Sequence, residues 1–197
     1  HLVVKIKGVY IPPFLMYSYT MNEIQVTDNA LIGEDFATIK ATIESPHFMW
    51  QWGGIIDEHD IKNPYKITCD QCDNYQLYQD ILCTAKSIYR NELINLMRPV
   101  MGFLNVRAPH RIKVNCQTVS SSGEQVIQGY HTDNDYEDCK TAILYLDDAD
   151  GYTIFQHNGQ KVYSKPNRIL SFPSHLMHSG TTPVGSMRRM VVNFNYF

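Results

Sequence analysis

The chain has 197 residues, 44% of them apolar, and a formal net charge of −3. That length and composition suit one globular domain that buries its own core. The acidic and basic residues are interspersed, which argues against a nucleic-acid footprint or a polybasic membrane surface. Five scattered cysteines, Cys69, Cys72, Cys83, Cys116 and Cys139, do not form a disulfide framework and imply a reducing, cytoplasmic compartment. No signal peptide and no transmembrane-length apolar stretch is visible. The chain begins with His1 rather than methionine, so the natural N-terminus is expected upstream and His1 is kept out of any metal argument.

In chain order, a short helix is expected over Asp35–Glu44, stopped by Pro46. Trp50 and Trp52 read as core aromatics at a joint between helix and sheet. Cys69-Asp-Gln-Cys72 is half of a zinc site, but no second CxxC exists, and His59 and Cys83 stand at no familiar ligand spacing. Asp73 and Asn74 can cap a long helix whose stripe is Leu77, Ile81, Ala85 and Ile88, widened by Leu82, Tyr89, Leu93 and Leu96 and ended by Pro99. The basic stretch Arg107–Lys113 reads as a solvated loop and strand edge. From there strands are expected at Ile112–Ser120, Glu124–His131, Lys140–Leu146, Thr153–Gln156, Gln160–Tyr163, Arg168–Phe172 and Arg188–Tyr196. Turns fall at Ser121–Gly123, Asp147–Gly151, Asn158–Gly159 and Pro183–Gly185, with Asn-Gly a strong hairpin signal. So many short, evenly spaced strands suggest a sandwich or barrel, with helices on one outer face and the other face free to hold a site.

The chemistry is concentrated in His131-Thr132-Asp133. On a strand, residues i and i+2 share a face, so an imidazole and a carboxylate can grip one metal ion. About 45 residues on, His178 follows Phe172-Pro173 and precedes Ser179-Gly180. Arg188 and Arg189 then open the last apolar strand. Two His and one carboxylate on one face of an octahedral ion leave three positions open. A nearby Arg can hold a remote carboxylate by a bidentate pair.

These pieces resemble the Fe(II)- and 2-oxoglutarate-dependent dioxygenases, close to the prolyl-4-hydroxylase-like branch of bacteria and phages. The likeness runs from Ile112 to Phe197 through Gly129–Asp133, Ile143–Asp148, Gly151–Phe155, Pro166–Pro173, His178–Gly180 and Arg189–Asn195. It implies a mainly β fold with flanking helices, a distorted double-stranded β-helix or jelly roll. Residues 1–197 would form one domain, with 1–110 as mixed helix and strand support and 111–197 as the core carrying the metal. It also implies Fe(II), dioxygen and 2-oxoglutarate as co-substrate, succinate and carbon dioxide as co-products, and hydroxylation of an unactivated C–H bond. Substrates of the family type are peptidyl or free amino acids or other small molecules, not membranes and not, on this charge balance, nucleic acids; oligomeric state is not readable. A phage-encoded protein would work in the host cytoplasm. A cupin-like jelly roll that binds metal without oxygenase activity is the alternative.

Within the site, the family pattern favours His131, Asp133 and His178 as metal ligands over Asp135 and His175. The carboxylate argues for hydroxylation rather than halogenation. Arg189 is preferred to Arg188 as the co-substrate anchor. From Arg189 the inward positions are Val191 and Asn193, which leaves Met190 and Val192 toward the helices. Tyr145 supports the co-substrate or simply packs in the sheet. Asn115 and Gln117 share one strand face and, if buried, would need partners that the co-substrate could provide; the inward Asn193 is expected among the co-substrate contacts too. Thr153 is a further lining residue.

Overall fold

The computed structural model describes residues 24–55 and 75–197. Its elements are β1 (Gln25–Thr27), α1 (Gly33–Glu44), β2 (Gln51–Gly54), β3 (Tyr75–Cys83), β4 (Ile88–Tyr89), α2 (Asn91–Leu96) and α3 (Arg98–Phe103). Then come β5 (Pro109–Thr118), β6 (Lys140–Tyr145), β7 (Ala149–Phe155), β8 (Lys161–Ser164), β9 (Arg168–Pro173), β10 (His178–Gly180) and β11 (Arg188–Tyr196). The large sheet has the order β1-β9-β6-β11-β5-β3-β2, with β4 also paired to β3. A second sheet, β10-β7-β8, faces it, and all the pairings are antiparallel. This is the mainly β jelly-roll arrangement expected from the sequence.

The central pair β5–β11 shows how alternation builds both layers. Ile112, Val114 and Cys116 of β5 stand opposite Phe194, Val192 and Met190 of β11. They share a buried core with Ile39 and Ile43 of α1 and with Met97 and Val100 at the α2–α3 corner. Each large apolar side chain taken from water here contributes roughly 1.5–3 kcal/mol. The intervening residues, Arg111, Lys113, Asn115 and Gln117 on β5 and Arg189, Val191 and Asn193 on β11, line a cavity on the opposite face. A second core, of Ile143, Tyr145, Phe155, Val162, Leu170, Phe172 and Val191, fills the rest of the space between the sheets.

Three expectations need correction. The long helix from Asp73 is a strand from Tyr75 to Cys83, followed by a single 3₁₀ turn, β4 and two short helices. The cause is a bulge: the register of β3 against β5 shifts between Asp80 and Leu82. One extra residue puts Leu77, Ile81 and Leu82 into the same core, and that spacing imitates a helical stripe. Glu124–His131 is not a continuous strand; it runs beside β10 and its extension through the isolated bridges Ile127–Thr181 and His131–His178 and a few further hydrogen bonds such as Gln128 N–H to the Gly180 carbonyl at 3.0 Å. Trp50 packs against the helix-covered core, but Trp52 is exposed and stacks on Tyr75 at 4.1 Å. The helix expected to Glu44 is present as α1. Cys69, Cys72 and His59 lie outside the described residues, while Cys83, Cys116 and Cys139 are buried free thiols. No helix among the described residues is long and apolar enough to cross a membrane.

Candidate metal centre

His131 and His178 are brought together by main-chain pairing. Each donates its backbone N–H to the other's carbonyl at 3.0 Å, and the two rings stand 4.7 Å apart. The Asp133 N–H donates to the Ser174 carbonyl at 3.0 Å, which turns the carboxylate toward both rings. Bridge and bend, rather than the regular strand expected, therefore set the two-residue spacing. His131 Nε2 lies 3.7 Å from Asp133 Oδ1, and His178 Nε2 lies 3.8 Å from Asp133 Oδ2. Ligand atoms of all three residues lie within 4.8 Å of one another.

The protonation pattern suits a cation. His131 Nδ1 faces the Gly129 carbonyl at 3.1 Å, and His178 Nδ1 faces that of Leu176 at 2.9 Å. A carbonyl only accepts, so each Nδ1 carries a hydrogen, and in the neutral ring this tautomer turns the Nε2 lone pair toward the site. Burial pushes His178 down to about 4, so it is neutral at pH 7. Burial alone would raise Asp133, but the two imidazoles and the Thr141 hydroxyl overcome it and hold the carboxyl at about 2. Its Oδ2 accepts from Thr141 Oγ1 at 2.8 Å and from Asn195 Nδ2 at 3.1 Å. Thr141 Oγ1 in turn accepts from Asn195 at 3.0 Å and lies 2.9 Å from Ser174 Oγ. Asp135 and His175 are exposed, and Asp135 accepts from Thr132.

The triad opens on a cavity of about 180 Å³ that Arg189 also lines. Arg189 is buried and donates to Ser164 Oγ at 2.9 Å, Gln117 Oε1 at 3.1 Å and Thr153 Oγ1 at 3.0 Å. These three bonds use one N–H on each of its three nitrogens. Gly151 and Gly180 make room for it: a Cβ on Gly151 would stand 2.6 Å from Arg189 Cδ, and one on Gly180 would stand 3.4 Å from Nη1. Arg188 points outward and pairs with Glu44 at 2.6 Å. Asn115, Gln117, Asn193 and Thr153 line the cavity. Tyr145 lies behind it, with its hydroxyl donating to Thr153 Oγ1 at 2.8 Å and its ring 5.5 Å from the Arg189 guanidinium.

Sequence reasoning missed Thr141, Asn195 and Ser164. Asn195 was within reach, because the alternation that puts Arg189 and Asn193 inward continues to it. Arg111 and Lys113 need a correction: they are not a solvated strand edge but line the cavity beside the triad.

The sequence matches no family model and, at a significant level, no curated protein. Solved structures do match. An oxidoreductase of the 2OG-Fe(II) oxygenase family from Burkholderia pseudomallei superposes with a TM-score of 0.60 at 14% identity, over 88% of this chain and 84% of that one. A prolyl hydroxylase from Trichoplax adhaerens, solved with a hypoxia inducible factor peptide fragment, gives 0.58 at 17%, over 89% and 84%. A viral collagen prolyl hydroxylase from Paramecium Bursaria Chlorella virus-1, solved with 2OG, gives 0.53 at 16%, over 89% and 96%. The described chain therefore has the jelly-roll fold seen in 2OG-Fe(II) oxygenases, prolyl hydroxylases among them.

Proposed function

We propose that this chain is an Fe(II)- and 2-oxoglutarate-dependent oxygenase that hydroxylates an unactivated C–H bond of a small-molecule or peptidyl substrate. The supporting observation is the pairing, in one cavity, of a His-Asp-His cluster with a buried Arg189 held by Ser164, Gln117 and Thr153. His131 Nε2, His178 Nε2 and an Asp133 oxygen would hold the iron, leaving half of an octahedral sphere for co-substrate and dioxygen. The bound iron would supply the coupling of 2-oxoglutarate decarboxylation, which gives succinate and carbon dioxide, to insertion of one oxygen atom into the C–H bond.

The chain's own residues do the positioning. The Nδ1 hydrogen bonds of both His lock ring orientation and tautomer. Thr141 and Asn195 fix the Asp133 carboxylate by engaging Oδ2. Arg189 would meet the remote carboxylate of 2-oxoglutarate as a charge-assisted pair. Ser164, Thr153 and Gln117 keep the guanidinium in place, and Tyr145 braces Thr153 from behind.

The test is anaerobic Fe(II) and 2-oxoglutarate binding by calorimetry, followed by succinate measurement on admission of oxygen. The wild type should bind one iron and convert 2-oxoglutarate to succinate. Asp133→Ala should fold but lose both. Metal binding without 2-oxoglutarate binding or succinate would point to a cupin-like protein. Full activity of Asp133→Ala would remove Asp133 from the site.

A further inference from the structure

The cavity has a second cationic end that the co-substrate does not use. Along β5 the inward residues run Gln117, Asn115, Lys113 and Arg111, each about 7 Å from the next. Gln117 holds Arg189, so the co-substrate lane begins there. Lys113 and Arg111 lie at the other end of the strand and line the same cavity.

Among the described residues Lys113 makes no ion pair; its ammonium sits 4.5 Å above the Tyr78 ring. Burial pulls it down to about 8, so it remains mostly charged at pH 7 but poorly solvated. Among the described residues Arg111 Nε pairs with Asp80 Oδ1 at 3.9 Å, and Asp80 also pairs with Lys86 at 3.5 Å. A divalent ion and dianionic 2-oxoglutarate would cancel against Asp133 and Arg189. Among the described residues Arg111, Lys113 and Lys86 share the one carboxylate of Asp80, which stands opposite Lys113 in the β3–β5 register, so the cluster keeps an excess of positive charge that favours an anion over a neutral group.

Resting on the oxygenase reading above, we propose that the primary substrate carries an anionic group, carboxylate or phosphate, which docks against Arg111 and Lys113 on β5. Two neighbouring atoms add to the description of that substrate. The side-chain carbonyls of Asn115 and Asn193 are buried without a hydrogen-bond partner, and both residues line the cavity. The 2-oxoglutarate dianion offers only acceptors, so it cannot satisfy them. A substrate N–H or O–H can. Asn193 stands directly opposite Lys113 in the β5–β11 register, so donor and anion would belong to one molecule. An amino acid has both features.

The experiment uses the full chain loaded anaerobically with Fe(II) and saturated with N-oxalylglycine, which occupies the co-substrate lane without reacting. Any carboxylate of residues 56–74 then competes as it does in the protein. Acetate, inorganic phosphate and neutral acetamide are titrated in turn, and binding is read by calorimetry and by the shift in Tm. At least one anion should bind roughly tenfold or more tighter than acetamide, as a charge-assisted contact predicts. R111Q/K113M should lose that preference while N-oxalylglycine binding is unchanged. K113M alone, at a half-buried position, covers the case in which the double variant does not fold. Preference for acetate over phosphate, or the reverse, identifies the anion class. No discrimination by charge, or a preference that survives in the variants because the anion sits on the metal, overturns the proposal alone. A wild type that does not take up N-oxalylglycine overturns the oxygenase reading and this proposal with it.

Discussion

The helix-covered face and the cavity face of β5 and β11 are made by alternate residues of the same two strands, yet their chemistry is opposite. On the outer face Ile112, Val114, Met190, Val192 and Phe194 are almost fully buried and make no demand except for shape. On the inner face Gln117, Arg189 and Asn195 are almost as deeply buried but must each be satisfied by named partners. A buried polar group left without a partner costs about 1–3 kcal/mol, and Asn115 and Asn193 each carry such an atom. The outer face therefore stabilises the sheet, and the inner face draws on that stability to hold charged groups where a reaction can use them. A strand pair with a single function would not need this asymmetry.

The largest test of this division is Phe194→Ala. Phe194 is 1% exposed and packs in the core shared with α1. Its truncation should cost about 3–5 kcal/mol of unfolding free energy, read by urea denaturation. The folded fraction should keep its 2-oxoglutarate affinity. A loss of affinity with no loss of stability would mean that the two faces are not separable.

The next step down compares neighbours on β11. Arg189→Ala removes the guanidinium from the cavity and should raise the 2-oxoglutarate KM by roughly 10–100-fold, the value of a charge-assisted pair. Arg188→Ala removes surface pairs with Glu44 and Asp147, each worth about 0–1 kcal/mol of stability, and should leave KM unchanged. The reverse ranking would transfer the anchor to Arg188.

How much of this was legible in the sequence follows the same division. The period-2 pattern of β11 was readable, and it separated Arg189 and Asn193 from Met190 and Val192 before any coordinates. The order His131, Asp133, His178 and Arg189 was readable because its spacing survives as chemistry. What misled was local irregularity. The bulge in β3 gave Leu77, Ile81 and Leu82 the spacing of a helix, and only the long ladder with β5 resolves the ambiguity. The HxD segment reads as a strand but is held by bridges and by Ser174, a partner far away in sequence. Arg111 and Lys113 were read by composition, as a basic stretch. Read by alternation with Ile112 and Val114, they fall on the cavity face.

The smallest effect is the most specific. Thr141 stands on β6, inward, and its hydroxyl both donates to Asp133 Oδ2 and accepts from Asn195. It touches no ligand position itself, so it acts on the metal only by orienting the carboxylate. Thr141→Val keeps the shape but removes the donor and leaves the Asn195 amide one acceptor short. Groups that orient metal ligands are typically worth 10–100-fold in metal affinity. Asn195 still holds the same carboxylate oxygen, which places the expected loss near the lower end, about tenfold in the Fe(II) Kd by calorimetry. At saturating iron the 2-oxoglutarate KM should not move, because Arg189 and its supports are untouched. Thr141→Ser restores the hydroxyl and should restore the iron affinity. A general packing defect would behave differently: it would lower stability in both variants and spare the metal in neither. Rescue by serine alone therefore separates orientation of Asp133 from repair of the sheet.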